Sequence, residues 1–485
     1  MTGPAEVTSI LAAPYRRVTV GIVALIALAA FEAMAVATAM PVAARELDGL
    51  SLYAWAFTGF LIAVLFATAV AGDLADRTGP GKPLVGGTLV FGTGLLVAGL
   101  APAMWPFVVG RLIQGLGVGA MIVAVYVLVA QVYPAALRPR VFAAISAAWV
   151  LPSILGPLIA GVITEHLTWR LVFLGLIPCV LPPLLLIGPV LRRLPATQRA
   201  RRGGGRIRWA LALAVGAATM QLGGQQAEHR RWLLAAVGIL AGTALLAPGV
   251  RTLFPRGTLR LRRGLPSVVA VRGLVAGSFF GAESFIPLML VEHRGLSPTL
   301  GGLSITGAAF GWAAGSWWQG RPTLGTPRSR LVVLGAGQSA FGIAIAGLAA
   351  LPVVPAISVA IGWVVAGTGM GLAMSSMSVM LIELSEVASQ GANAAALQMS
   401  DALGSIICTG IGGVLFATLR STTSEAVVFG TIFAVMTTIA AASVVAATRI
   451  RPTVSDTADT RGGGVGGVAT PPPDRASALG SVRGI

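Results

Sequence analysis

Fourteen apolar stretches, most of them near membrane-spanning length, recur along this chain and leave it few folds to choose from. A helix needs about 20 mostly apolar residues to cross a bilayer. Such stretches lie at 18–43, 52–71, 84–101, 106–132, 141–164 and 171–190, and again at 267–290, 298–319, 330–351, 354–382, 390–417 and 424–448. Two shorter ones, at 209–224 and 232–248, fall between the two sets. They read as two further spans or as a hairpin lying in the interface, and either reading leaves the second set in the same orientation. Composition points the same way. Of 485 residues, 55% are hydrophobic and 11% charged, whereas soluble domains carry about 25% charged residues. So little polar surface cannot clothe a soluble protein, and lipid must cover part of this one. The 63 glycines suit close packing of membrane helices. The run that follows Arg16-Arg17 is longer than the roughly 7–15 residues of a signal-peptide core and reads as the first span.

The chain therefore divides into an N-terminus (1–17), a first six-helix bundle (18–191), a basic linker with two extra helices (192–265), a second six-helix bundle (266–448) and a polar tail (449–485). The tail carries Gly462-Gly463-Gly464 and Pro471-Pro472-Pro473 without an apolar face, and disorder is expected there. The net charge of +17 is explained by location. Arg77, Lys82, Arg138, Arg140, the arginines of 192–208, those from Arg251 to Arg263, and Arg321, Arg328 and Arg330 all fall on one side. Arg272 is expected at the same face, at the start of its span. The other side holds only Arg45, Arg170, Arg230, Arg231, Arg294 and Arg420. By the positive-inside rule the richer side, with both termini, is cytoplasmic, and anionic headgroups there offset the charge. No nucleic-acid partner is implied. The two cysteines, Cys179 and Cys408, lie in apolar runs and imply no disulfide framework. No Cys/His spacing suits a metal, and no cofactor is expected.

An internal repeat relates the two halves. Gly115, Gly117 and Gly119 recur as Gly367, Gly369 and Gly371, at a constant offset of 252. At that same offset Ser153-Ile154 matches Ser405-Ile406, and Gly161 matches Gly413. Two parallel six-helix halves are a known transporter layout.

Four motifs sharpen the reading. Gly72-Asp73-Leu74-Ala75-Asp76-Arg77-Thr78-Gly79-Pro80-Gly81-Lys82 follows the second span. It resembles the loop signature of the major facilitator superfamily, with Gly81 in place of a usual basic residue. The resemblance implies a conformational latch: its carboxylates can meet a helix N-terminus of the partner bundle, and Arg77 can pair with neighbouring acids. The equivalent stretch of the second half, at Gly320-Arg321, is degenerate. Arg111, Gln114, Gly115 and Gly117 in the fourth span look like the family's second signature. A charge inside a span is costly and usually functional. Arg111 shares a helix face with Gly115 and Gly119, and at the repeat offset it becomes Trp363, which assigns proton chemistry to the first half.

Pro152, Gly156, Pro157, Ala160 and Gly161 in the fifth span are similar to the antiporter signature of the drug-exporting branches, with Pro152 and Ala160 replacing two family glycines. Pro157 removes a helical hydrogen bond and bends the span. Phe31-Glu32 with Thr38 and Pro41 in the first span looks like the signature of fourteen-span drug:proton antiporters of the EmrB/QacA type. Glu32 stands for the usual Asp and Ala37 for the usual Asn. Trp55 with Thr58, and Trp169-Arg170 with Phe173, also sit where that group has similar residues.

Three acids lie well inside spans: Glu32, Glu283 and Asp401. Burial disfavours the charged form of an acid, so such a group can take up a proton and release it when wetted. Glu32 and Glu283 occupy matching first spans of the two halves and could face each other across a central cavity. Glu383 and Glu386 are expected at a solvated end.

The resemblance implies an all-α polytopic membrane protein of the major facilitator fold, two six-helix bundles plus two extra helices, about fourteen spans in all. It implies a monomeric, proton-coupled exporter of drug-like or lipophilic compounds in the cell membrane, working by alternating access. Glu32 and Arg111 are the expected proton-coupling pair. Phe31, Gln114, Trp149, Phe279, Phe280, Glu283, Phe285 and Asp401 are the expected cavity residues. Gly72, Asp73, Asp76, Arg77, Gly79, Lys82, Gly156, Pro157 and Gly161 form the conformational signatures. No ATP motif appears, which leaves the ion gradient as the energy source. An importer or uniporter of a small nutrient, or a lipid exporter, would share the fold. A membrane-embedded enzyme would need clustered nucleophiles or ligands at membrane depth, whereas His166, His229 and His293 fall in expected external loops.

Overall fold

The computed structural model describes residues 9–134, 136–192, 194, 204–227, 230–321, 326–386 and 389–450. The expected disordered tail beyond 450 and His229 lie outside the described residues. In chain order the helices are α1 (Arg16–Glu46), α2 (Tyr53–Thr78), α3 (Gly81–Gly99), α4 (Met104–Val132), α5 (Arg138–His166), α6 (Arg170–Leu174), α7 (Ile177–Leu191), α8 (Gly204–Gln225) and α9 (Trp232–Leu253). They continue as α10 (Leu265–Glu283), α11 (Ile286–Leu288), α12 (Pro298–Gln319), α13 (Arg328–Leu348), α14 (Ile357–Glu383), α15 (Gln390–Leu419) and α16 (Glu425–Ala447).

Two spans that read as continuous are broken. The segment at 171–190 divides at Gly175, and α7 restarts with Pro178 in its first turn. Proline is tolerated there because the first turn has no intrahelical acceptor for its missing N–H. The segment at 267–290 stops at Glu283, resumes at α11 with Pro287 in its first turn, and runs into a π-helical turn over Met289–His293. His293 therefore ends a helix rather than sitting in a loop.

Among the described residues, twelve helical segments, not fourteen, are long and apolar enough to cross a membrane. The two that fall short are α8 and α12, each of 22 residues. Arg206, Arg208, Gln221 and Gln225 dilute the first. Five glycines, among them Gly307, Gly311 and Gly315, dilute the second. Those of α12 serve packing instead. A Cβ on Gly311 would come within 2.2 Å of the Val364 carbonyl oxygen and one on Gly315 within 2.2 Å of that of Thr368, so α12 and α14 touch backbone to backbone.

The sequence repeat is also a packing repeat. In α4, Gly115 and Gly119 lie against α2, where a Cβ would meet the Phe60 and Val64 carbonyl oxygens at 2.3 and 2.7 Å. Gly117, between them, lies against Phe91 of α3. In α14, Gly367 and Gly371 lie in the same way against Ala308 and Trp312 of α12, and Gly369 against Gly335 of α13. A glycine on alternate faces lets one helix approach two neighbours at once, and the second half repeats the device.

The hydrogen bonds, ion pairs and close glycine contacts that join the two halves gather toward one end. Arg45, at the end of α1, pairs with Glu292. The Tyr53 hydroxyl donates to the Ser284 carbonyl at 2.8 Å, and that of Thr299 donates to Glu165 at 2.6 Å. Gly161 of α5 abuts Thr299 of α12, and Gly413 of α15 abuts Ala54 of α2. These two glycines are the 252-offset pair. The halves thus close at the Arg45 end. The α8 helix lies over the α2/α15 side of this closure: Gln221 meets Gly410, Gly224 meets Val414, and Gln225 donates to the Ser51 carbonyl at 3.4 Å.

Candidate functional site

The first bundle holds a sealed charge cluster. Glu32 on α1 and Arg111 on α4 form an ion pair, with side chains 1% and 3% exposed. The closeness of α2, secured by Gly115, brings the Ala56 carbonyl to 2.9 Å from Arg111 Nε, which donates to it. Arg111 also donates to the Gln114 amide oxygen, and its guanidinium lies 4.5 Å over the Phe60 ring. Two polar atoms of this cluster, Glu32 Oε2 and Gln114 Nε2, are buried without a hydrogen-bond partner. An unsatisfied buried acceptor on a carboxylate is costly. Gln114 therefore belongs to the ion-pair cluster and not to a cavity wall. Phe31, half-buried, packs beside Gly156 of α5 within the same bundle.

The second bundle has no such cluster at the matching place. Trp363 is fully buried and stacks on Phe279 at 4.7 Å. Phe279 also packs edge-on to Phe280 at 5.3 Å, and Phe280 lies 6.5 Å from Trp312. Glu283 is half-buried beside Trp363, whose indole N–H has no acceptor at hydrogen-bonding geometry. No ion pair engages Glu283 among the described residues. The helix break at Ser284 follows it directly.

Two expected cavity residues have other surroundings. Phe285 is fully buried, 5.7 Å from Tyr53 of the first bundle, and belongs to the closure at the Arg45 end. Asp401 on α15 is paired with Arg272 of α10, whose Nε donates at 2.7 Å. Arg272 Nη1 reaches the Met374 carbonyl at 2.8 Å and Ser378 at 3.2 Å. The expectation of Arg272 at a membrane face misses this pair, whose partners are 129 residues apart. The only signal for it in the sequence is an unexplained arginine inside the same bundle as an unexplained acid. Replacing Arg272 by Gln is expected to lower stability by about 1.5–3 kcal/mol, the worth of hydrogen bonds to a charged group. Adding Asp401→Asn should restore most of it, read as thermal unfolding in detergent.

Among the described residues, no hydrogen bond or ion pair joins Asp73, Asp76 or Arg77 to the second bundle. Arg77 pairs with Asp73 of its own helix at 2.7 Å, Asp76 is exposed, and a Cβ on Gly72 would meet nothing within 4 Å. This end of α2 lies opposite the closure. Gly79 has a φ of 78°, the left-handed region that favours glycine, and Lys82 is exposed. Trp149 on α5 is 39% exposed. Pro157 offers its carbonyl to the close approach of Gly302 on α12. Among the described residues no group of three or more His, Cys, Asp or Glu could hold a metal ion.

The profile described as Major Facilitator Superfamily matches residues 22–339. The uncharacterized MFS-type transporter Rv1877 of Mycobacterium tuberculosis is 26% identical over 392 residues, 79% of this chain and 56% of that protein. The chain thus spans little more than half the length of that relative. The probable multidrug-efflux transporter Rv1634 of the same species is 24% identical over 441 residues, covering 84% of this chain and 88% of the relative. The multidrug efflux pump SdrM of Staphylococcus aureus is 23% identical over 299 residues, 60% of this chain and 66% of that protein. Among solved structures, the POT family transporter PepTSo superposes with a TM-score of 0.66 at 11% identity, covering 89% of this chain and 98% of that one. A D-xylose-proton symporter does so with a TM-score of 0.59 at 16% identity, covering 87% and 96%. At such identities the structural likeness is one of fold. Repeated glycine packing in two halves, apolar spans throughout and a profile match over well over half its length place this multi-pass membrane protein in the Major Facilitator Superfamily.

Proposed function

We propose that the chain is a proton-coupled exporter of drug-like or lipophilic compounds in the cell membrane, with both termini cytoplasmic, and that it works as a monomer by alternating access. The observation that carries the reading is the Glu32–Arg111 pair, sealed inside the first bundle with one carboxylate oxygen unsatisfied. It supplies a place for a proton beside a fixed cation, at a depth where an isolated charge is expensive. The relatives whose names describe multidrug efflux favour export over import. Closure at the Arg45 end leaves the end with more Lys and Arg to receive substrate, which would pass Trp149 toward Phe280 and Glu283. Closing that end would bring Asp73, Asp76 and Arg77 to the second bundle and set the latch. The α8 and α12 helices would cross the membrane with the other twelve segments, since α12 packs tightly on α14 and α8 on α2 and α15.

Inverted vesicles separate this reading from its rivals. Candidate substrates come from comparing the drug susceptibility of strains with and without the gene. Adding such a compound to vesicles with an acid interior is expected to dissipate the proton gradient. Transport down the compound's own gradient, with the proton gradient untouched, would identify a uniporter instead.

A further inference from the structure

Three spans end around one cavity. Thr78 closes α2, Gly81 and Lys82 open α3, and Leu191 closes α7. Between these ends lies a cavity of about 510 Å³, lined among others by Thr78, Lys82, Val85, Gly86, Leu191 and Arg192. Among the described residues, its lining contains two cations and no acid. Neither the Lys82 nor the Arg192 side chain forms an ion pair or hydrogen bond with any described residue. Glycines make the room. A Cβ on Gly86 would meet nothing within 4 Å, and one on Gly81 would find only Leu191, at 3.9 Å. The α3 helix starts here with no side-chain cap, so its first backbone N–H groups also face an anion favourably. Apart from Thr78 and the two cations, the lining side chains, Val85 and Leu191 among them, are apolar.

Unpaired cations on an apolar wall, where three spans end, match one chemistry. We propose that this cavity binds the phosphate headgroup of an anionic phospholipid, held between Lys82 and Arg192, with the start of its acyl chains against Val85 and Leu191. Helix ends mark the depth at which headgroups lie, and basic pockets between spans are suited to them. The bound lipid ties the α2–α3 loop, which carries the Asp73–Arg77 pair, to the end of α7, where the basic linker begins. Neither the transport reading nor the proton site requires it.

The test uses the full chain in nanodiscs of neutral phosphatidylcholine titrated with phosphatidylglycerol, with retained lipid counted by native mass spectrometry. The unaltered protein is expected to keep one phosphatidylglycerol in preference to phosphatidylcholine. Lys82→Gln and Arg192→Gln should each weaken that preference about fivefold. Gly86→Phe, which fills the cavity and leaves both charges, should abolish it, and it keeps the proposal testable if a charge variant fails to fold. Retention unchanged in Arg192→Gln and Gly86→Phe would overturn the site. Displacement of the lipid by millimolar inorganic phosphate would overturn the lipid assignment and leave a soluble anion as the occupant.

Discussion

Glu32→Gln is expected to abolish gradient-driven transport and to destabilise the protein at once. Glu32 and Arg111 are 1% and 2% exposed, and no other described acid is paired with Arg111. Removing one partner of a buried pair strands the other charge, at a cost of about 3–5 kcal/mol. The loss of coupling has to be separated from that loss of stability. Glu32→Gln/Arg111→Gln removes both charges, keeps hydrogen-bonding side chains at both sites, and should recover most of the stability. It should not recover coupling, because no carboxyl remains to carry the proton. Thermal unfolding reads the first effect, and substrate-induced proton release from purified protein reads the second. Coupling that survives in the double variant would move the proton site to the second half, with Glu283 and Asp401 as the carriers to test.

The second large effect is a change of access. Gly161 and Gly413 occupy matching places in α5 and α15, and each meets a helix of the other half. A Cβ on Gly161 would lie 2.6 Å from the Thr299 Cα, and one on Gly413 would lie 2.4 Å from the Ala54 Cβ. The halves are not covalently fixed to each other here, so a larger side chain is relieved by parting them. Overpacking of this kind costs about 1–3 kcal/mol, which shifts a two-state ratio about five- to 150-fold. Gly161→Leu and Gly413→Leu should therefore populate the state open at the Arg45 end. The distance between spin labels at the exposed Leu167 and Leu300, one in each half, should lengthen, and turnover should fall with it. Gly156→Leu is the control. Its Cβ would meet Met34 of the same bundle at 3.2 Å, so it should reduce stability without moving the labels. Unmoved labels in Gly161→Leu and Gly413→Leu, with stability lost, would mean that the contact is only structural.

The features legible in the sequence are local or periodic. Apolar runs set where helices form, because the bilayer demands a run of a given length. Glycine spacing in the fourth span, and its recurrence 252 residues on, announces two helices that must pack closely on two neighbours each. A charged residue at span depth is so costly that Glu32 and Arg111 are conspicuous singly, and in one half they have few other partners. Hydropathy misleads at α12, where small residues that lower apolarity serve contact with α14. It also misleads at 171–190 and 267–290, where the runs stay apolar enough overall to read as single spans across the turns at Gly175 and at Glu283-Ser284.

The membrane setting, the helical class, the two-fold repeat and the residues worth questioning all follow from the order of amino acids. The pairings do not, and emerge only from tertiary packing. Arg272 finds Asp401, Gln114 joins Arg111, Phe285 seals one end beside Tyr53, and α8 lies over the α2/α15 side of the closure. Packing also sets which end is closed, and Asp73 and Arg77 hold each other at the opposite end. The physical reason is common to all of these. Burial and helix formation depend on neighbours along the chain, whereas an ion pair or a seal depends on the relative placement of helices far apart in sequence. That placement is set by how closely their glycines let them approach.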